Sequence, residues 1–574
     1  MDPTGRGGSD TVSTASPEPV PSAPSEAGSE STMLGPVPLV PLGRPQVAAA
    51  ARLAEHGLRH PVRVAGAGLR LGGELASAVR GATTRTPAKG DRRFADPAWV
   101  ENPLYRRVLQ GYLATTAVAG DTVGRLGLDE KSEERARFVV GQVSDALAPT
   151  NTLAGNPAAL KKAVATKGAS LLAGARHLAG DVVGNGGMPS SVDSRPFRVG
   201  ETVGATPGAV VFRNEVLELI QYQPATPQVF SRPVVFVPPE ISRHYILDLS
   251  PGRSLVEYLL SQGQQVFVIS WRNPTAAQRD WNLDTYVGAA LDALAAACRI
   301  TGSPDVHLTG ACAGGVTAVA LAGYLAAVGD RRLHSLTLLV TVLDTGAETM
   351  ASLFLSEWSA ALAVRNSKRS GVLSGRQLSR MFAWMRPNDL VWNYWVNNYL
   401  LGNDPPAFDI LAWNADMPNM TAGLHADFAA LFLENPMGVP GGLTVLGTPI
   451  DLAKIDQDAY VLAALTDHIT PWQACHRTVG LLGGTTRFAL SSSGHIQAIV
   501  NPPDNPKASY WATDTPPTDP DAFLAGADRY TGSWWVEWSE WLAARGGPEK
   551  RASRTLGNRA LPVLEPAPGR YVRS

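Results

Sequence analysis

A chain of 574 residues, 44% hydrophobic and 18% charged, can supply two or three domains and a large core. Its formal net charge of −1 offers no electrostatic basis for binding nucleic acid. Three cysteines (Cys298, Cys312 and Cys475) are too few for a disulfide framework, no apolar run approaches a transmembrane segment, and no basic-then-apolar leader opens the chain. These features predict a cytoplasmic protein whose attachment to any hydrophobic body is peripheral.

Residues 1–43 are expected to be a disordered tail. The first 32 are mostly Ser, Pro, Thr, Gly and Glu, and Pro36, Pro38 and Pro41 continue the irregular stretch. Residues 44–200 are Ala/Leu-rich with helical spacing, broken by turns such as Asn185-Gly186-Gly187-Met188-Pro189. They predict a helical N-terminal domain. Residues 201–545 predict a catalytic domain, and 546–574 a flexible tail.

From about residue 208 the periodicity changes to short β-like runs, Val210–Phe212 and Val216–Ile220. Val234–Val237, closed by Pro238-Pro239, reads as a buried central strand. A helix follows, with Ser250 as its N-cap and Pro251 at its first position, stopped by Gly263. Val266–Ile269 is the next strand. Asp284 is expected to cap a helix that turns Tyr286, Leu291, Leu294 and Cys298 inward and ends near Gly302. Then come a strand at Val306–Leu308, a Gly-rich turn, an Ala/Gly helix through Val328, and a strand at Leu336–Leu343. The alternation lapses between 346 and 440, a cap insertion crowded with Trp, Asn and Pro. It resumes with Leu443–Leu446, Tyr460–Leu462 and Phe488–Leu490. The fold class predicted is α/β: an α/β-hydrolase fold with a doubly wound, mostly parallel sheet.

Gly310-Ala311-Cys312-Ala313-Gly314 matches a nucleophile elbow, with cysteine in place of serine. The turn is strained and needs small residues around the nucleophile, and the helix N-terminus behind it favours a thiolate and an oxyanion. The backbone amides of Ala313 and Ile241 are the expected oxyanion-hole donors. Chain order then puts an acid and a histidine after late strands. Asp467 follows the strand at Tyr460–Leu465, and His495 follows Phe488–Leu490. Each has a plainer alternative: Cys312 packing a helix, Asp467 capping one, His495 bracing a loop. His468, His307, Cys298 and Cys475 are expected to be structural. No His/Cys cluster has metal-ligand spacing and no phosphate loop appears, so neither metal nor cofactor is expected. The Trp534, Trp535, Trp538, Trp541, Leu542 stripe has helical spacing and predicts a packed terminal helix, with polymer contact as the alternative.

Taken together, these blocks resemble the polyhydroxyalkanoate synthases, above all their class II, medium-chain-length branch. The likeness rests on Val237-Pro238-Pro239-Glu240-Ile241, Tyr245–Leu249, Ser270-Trp271-Arg272-Asn273-Pro274, Gly310–Gly315, Phe382–Leu390 running into Trp392-Asn393-Tyr394-Trp395, Asp467–Trp472, and Ser493–Gln497 with Asn501-Pro502-Pro503. Upstream, Asp91–Phe94 and Asn102–Arg107 also fit. The resemblance implies that Cys312, Asp467 and His495 are catalytic. It also implies (R)-3-hydroxyacyl-CoA substrates of medium chain length, a growing polyester chain, a granule surface as partner, and a homodimer. Ala313 and Glu240 depart from the family pattern, which more often carries Ser at the first and an uncharged residue at the second. Cysteine suits such chemistry: exchanging one thioester for another costs little and leaves the acyl group activated. Water must be kept out, a task expected of the Trp-rich cap. The rival expectations are a cysteine hydrolase and a non-catalytic granule protein.

Overall fold

The computed structural model describes Glu55 and residues 59–346 and 357–574. The tail expected at 1–43 lies outside them. The apolar runs without polar alternation become strands buried on both faces, because each face is covered by helices. They are β1 (Gly208–Arg213), β2 (Leu217–Tyr222), β3 (Pro233–Val237), β4 (Gln265–Trp271), β5 (Val306–Ala311) and β6 (Leu333–Leu339). After the cap come β7 (Asp458–Ala464), β8 (Thr486–Ser491), β9 (Ser509–Thr513), β10 (Asp528–Thr531) and β11 (Glu565–Pro566).

These form one sheet in the order β10-β9-β8-β7-β6-β5-β3-β4-β2-β1-β11. The central run from β8 to β4 is parallel, and antiparallel strands extend it on both sides. Alternate side chains enter two cores. Val235, Val237, Phe267 and Ile269 face helices Leu283–Thr301 and Ala313–Val328, while Val234, Phe236, Val266 and Val268 face Leu255–Ser261 and Trp534–Ala543. Among the described residues no helix is long and apolar enough to cross a membrane.

Several expectations are corrected by tertiary contacts. The helix expected at Ser250 begins at Leu255 and is capped by Ser254, whose hydroxyl accepts the Glu257 amide and donates to Asp248. Ser250 instead donates to Asp409 in the cap. Asp284 does not cap Leu283–Thr301; Asn282 does, and Asp284 accepts the Leu446 amide. Leu443–Val445 is not a strand of the main sheet. It pairs with Thr448–Ile450 in a hairpin, because Leu446 and Gly447 both adopt the left-handed conformation of a two-residue turn. The strand expected at Leu336–Leu343 starts and ends earlier, since Val340 has φ 46°.

The segment 546–574, expected to be flexible, is built into the fold. Glu549–Arg551 pairs with Gln228–Phe230, Glu565–Pro566 forms the sheet edge, and Tyr571 and Val572 are buried. Its Arg570 and Tyr571 amides donate to the carboxylate of Glu218, which is fully buried and paired with Arg213. A buried carboxylate needs those donors, which fixes the segment in place.

The C-terminal tryptophans are core residues, so the stripe is not available for polymer contact. Trp538 packs on Phe236 and Tyr460 and donates to Thr337 Oγ1 at 3.1 Å. Trp534 and Trp535 donate to the carbonyls of Ala498 and Ile499, in the short helix that begins at His495. Trp538→Ala is expected to cost about 3–5 kcal/mol of stability, read from the shift in denaturant midpoint.

The N-terminal helices include Pro61–Arg80, Pro103–Arg125, Glu130–Ala146, Pro157–Ala165 and Ala169–Gly184. They dock on the cap rather than on the sheet. Gln142 donates to Trp384 O, Trp395 donates to Asn151 O, and Tyr399 donates to the buried Asp181. The cap tryptophans Trp384, Trp392 and Trp395 pack with Ala146 and Met188, joining the cap to the N-terminal region.

Candidate active site

Parallel strands deliver their loops to one edge of the sheet, and five of them converge here. Val237 of β3 lies opposite Gly310 of β5, Ala311 opposite Leu339 of β6, Leu339 opposite Leu462 of β7, and Ala464 opposite Ser491 of β8. Cys312 follows β5 at φ 49°, ψ −120°, a conformation that costs energy for any residue with a Cβ. Neighbours hold it there. Its amide donates to Leu339 O at 2.8 Å, and its carbonyl accepts the Gly315 amide at 3.0 Å.

The small residues around it are required by contact. A Cβ on Gly310 would lie 2.6 Å from Gly315 Cα, one on Gly314 would lie 2.3 Å from Val237 O, and one on Gly315 would lie 2.0 Å from Thr341 Oγ1. Ala313 is the first residue of the helix Ala313–Val328, so its amide has no intrahelical partner. Ile241 lies just beyond β3, in the loop that Gly314 touches.

Asp467 and His495 meet because pairing between the β7 and β8 chains continues past both strand ends: the Leu465 amide donates to Ser491 O and the Thr466 amide to Ser493 O. His495 Nδ1 is 2.6 Å from Asp467 Oδ2. The carboxylate accepts three further bonds, from the amides of Ile469 and Thr470 and from Thr470 Oγ1 at 2.7 Å. Burial raises the Asp467 pKa, but His495 and these donors outweigh it and hold it below its ordinary value. For His495, burial opposes the charged form, yet Asp467 and Cys312 together raise its pKa. The Cys312 side chain lies near enough to the imidazole to favour its charged form. Asp467 is not a helix cap, since the next helix starts at Trp472 behind Pro471.

The other candidates stand apart. Cys475 is fully buried and its thiol pKa is pushed well up by burial; that of Cys298 is pushed to about 11. His307 is buried in β5, bonds Ser335 Oγ at 2.7 Å, and has its pKa driven down to about 3. His468 is lowered to about 4 by burial and Arg386 and does not bond Asp467. Thr470 was missed by the sequence reading; the spacing Asp467-x-x-Thr470 was the available signal. Glu240 is buried against the elbow helix and accepts Thr317 Oγ1 at 2.6 Å.

The arrangement offers a thiol on a strained turn, a base that can take its proton, a carboxylate that orients and charges the base, and a helix N-terminus beside them. Such a set suits acyl transfer through a covalent intermediate.

A family profile described as "Poly-beta-hydroxybutyrate polymerase (PhaC) N-terminus" matches residues 90–259, and one described as "alpha/beta hydrolase fold" matches 246–502. Poly(3-hydroxyalkanoate) polymerase 1 of Ectopseudomonas oleovorans is 48% identical, across 95% of this chain and 97% of its own. Polymerase 2 of the same organism is 49% identical, across 92% and 95%. The poly(3-hydroxyalkanoate) polymerase subunit PhaC of Cupriavidus necator is 40% identical, across 84% and 83%.

Proposed function

The chain belongs to the poly(3-hydroxyalkanoate) polymerase family, and from that premise we propose that it polymerises (R)-3-hydroxyacyl-CoA through an acyl-enzyme on Cys312. The observation that carries the cysteine mechanism is the strained turn at Cys312 beside the bonded His495–Asp467 pair.

His495 Nδ1 faces Asp467, so Nε2 is the nitrogen that takes the Cys312 proton. The thiolate attacks the thioester carbonyl, and the amides of Ala313 and Ile241 hold the oxyanion. The C–S bond to CoA breaks, and His495 returns the proton to the departing CoA thiolate. The 3-hydroxyl of another acyl group then gives its proton to His495 and attacks the acyl-Cys312 carbonyl. An oxoester forms, the C–S bond to Cys312 breaks, and the thiol is restored. The first exchange is nearly neutral in energy and the second runs downhill, which is what cysteine contributes.

The same proposal includes a homodimer, the cytoplasm, peripheral attachment to polyester granules, and division into an N-terminal helical domain, a catalytic domain and a cap. The test is incubation with several 3-hydroxyacyl-CoAs, following CoA release together with solvent-extractable polymer. CoA release without polymer would identify a thioesterase instead.

Substrates of about six to twelve carbons are expected to show higher kcat/KM than the four-carbon one, each buried methylene contributing at best about 0.8 kcal/mol. Competition between the two lengths in purified enzyme checks this, and a four-carbon preference would refute it.

A further inference from the structure

The loop after β3 is clamped at three points, one on β4 and two on the elbow and its helix. Trp271 Nε1 donates to Pro238 O at 2.7 Å, Gly314 abuts the carbonyls of Val237 and Pro238, and Thr317 Oγ1 donates to Glu240 Oε1 at 2.6 Å. The third clamp is unlike the others because its acceptor can ionise. Glu240 is buried, and its Oε2 has no hydrogen-bond partner among the described residues.

From the helix Leu283–Thr301, Tyr286 is the titratable neighbour, and burial keeps its hydroxyl protonated. From the elbow helix, the neighbour is Thr317, which carries no charge. Among the described residues no cation lowers the Glu240 pKa, so its charged form would be buried with one oxygen unsatisfied.

We propose that Glu240 is a positioning residue that fixes the Ile241 loop against the nucleophile helix as a neutral acid, and that its deprotonation slows polymerisation. The inference rests on the polymerase reading above. A neutral carboxyl accepts from Thr317 through its carbonyl oxygen and leaves the loop without charge. A carboxylate one residue before Ile241 would oppose the negative charge that develops on the thioester oxygen in each tetrahedral intermediate. Burial agrees with this state, since it raises Glu240 to about 7 against the lowering effect of the Thr317 bond. The sign follows: Glu240 is neutral below that value and charged above it, so activity is lost on the alkaline side.

The test compares wild type with Glu240→Gln, which keeps the acceptor for Thr317 and cannot ionise. The ratio of variant to wild-type kcat/KM cancels ionisations that both proteins share, including those of His495 and Cys312. It is expected to be lowest at pH ~6 and to rise about fivefold or more by pH ~8.5. A flat or falling ratio overturns the proposal. Infrared spectroscopy gives an independent check that needs no variant activity. Wild type should show the C=O band of a protonated buried carboxylic acid at pH ~6 that fades as pH rises through about 7 and is absent from Glu240→Gln. Absence of that band in wild type also overturns it. If wild type releases no CoA from any 3-hydroxyacyl-CoA, the polymerase reading itself fails, whereas CoA release with a flat ratio removes only the role of Glu240.

Discussion

Cys312→Ala is expected to abolish both CoA release and covalent acyl labelling, while Cys298→Ala and Cys475→Ala retain both. Only Cys312 occupies the strained turn and engages His495. Cys475 is shut behind Thr470, with its Sγ 3.7 Å from Thr470 O, and Cys298 sits near the end of Leu283–Thr301 that leads into the start of β5, near Asp305, Asp330 and Arg332. Both thiols are held protonated by burial, and a protonated thiol is a poor nucleophile. Removing the attacking atom leaves the oxyanion donors and the base with nothing to activate, so turnover should fall by about 10³-fold or more. Mass spectrometry of intact protein after exposure to substrate reads the label. Substantial polymer from Cys312→Ala would sink the assignment.

Much of this site was legible because its constraints are local. Gly310, Gly314 and Gly315 announce the elbow through contacts that no side chain could survive, and those contacts lie within one turn and its neighbouring strands. Asp467 and His495 could be found because chain order and strand ends confine them. What stayed hidden depends on distant partners. Ser250 and Asp284 look like helix caps until Asp409 and the Leu446 amide claim them. Thr470 bonds Asp467 and lies 3.1 Å from His495 Nδ1 only once β8 has set that histidine beside it. The C-terminal segment's apolar run, Leu561-Pro562-Val563-Leu564, is short, broken by proline and partly exposed. The order of the segment comes from backbone pairing and from the need of Glu218 for donors, neither of which side-chain periodicity reports.

Asp467→Asn should separate two steps that His495→Gln slows together. In the native arrangement Asp467 Oδ2 accepts Nδ1–H, which leaves Nε2 free to take a proton from Cys312. An asparagine there can donate its NH₂ to Nδ1, which shifts the ring proton to Nε2 and spoils the base. A thiol still forms some thiolate without help, so acylation of Cys312 should slow by only about 10- to 100-fold. The incoming hydroxyl is a far weaker acid and depends fully on the base, so elongation should fall by about 10³- to 10⁴-fold. His495→Gln removes the base for both. Rapid-quench measurement of acyl-enzyme against polymer decides the matter, and equal slowing of both steps in Asp467→Asn would show that the division is wrong. The imidazole pKa, read by NMR, should also drop in Asp467→Asn, because the carboxylate is the charge that most favours its protonated form.

The interruption of the sheet by the cap also bears on how the protein acquires its reactivity. Cys312 is set by β5 and β6, whereas Asp467 and His495 follow β7 and β8, which come after the whole cap in sequence, β7 docking on β6 and β8 on β7. Parallel pairings between such distant segments form slowly, since a long loop must close before any contact rewards it. During synthesis or refolding, the elbow can therefore be complete while its thiol is still an ordinary cysteine with no base at hand. Activity should return later than helical signal does. Chains caught halfway would carry a nucleophile not yet paired with its base, and so slower to capture acyl groups.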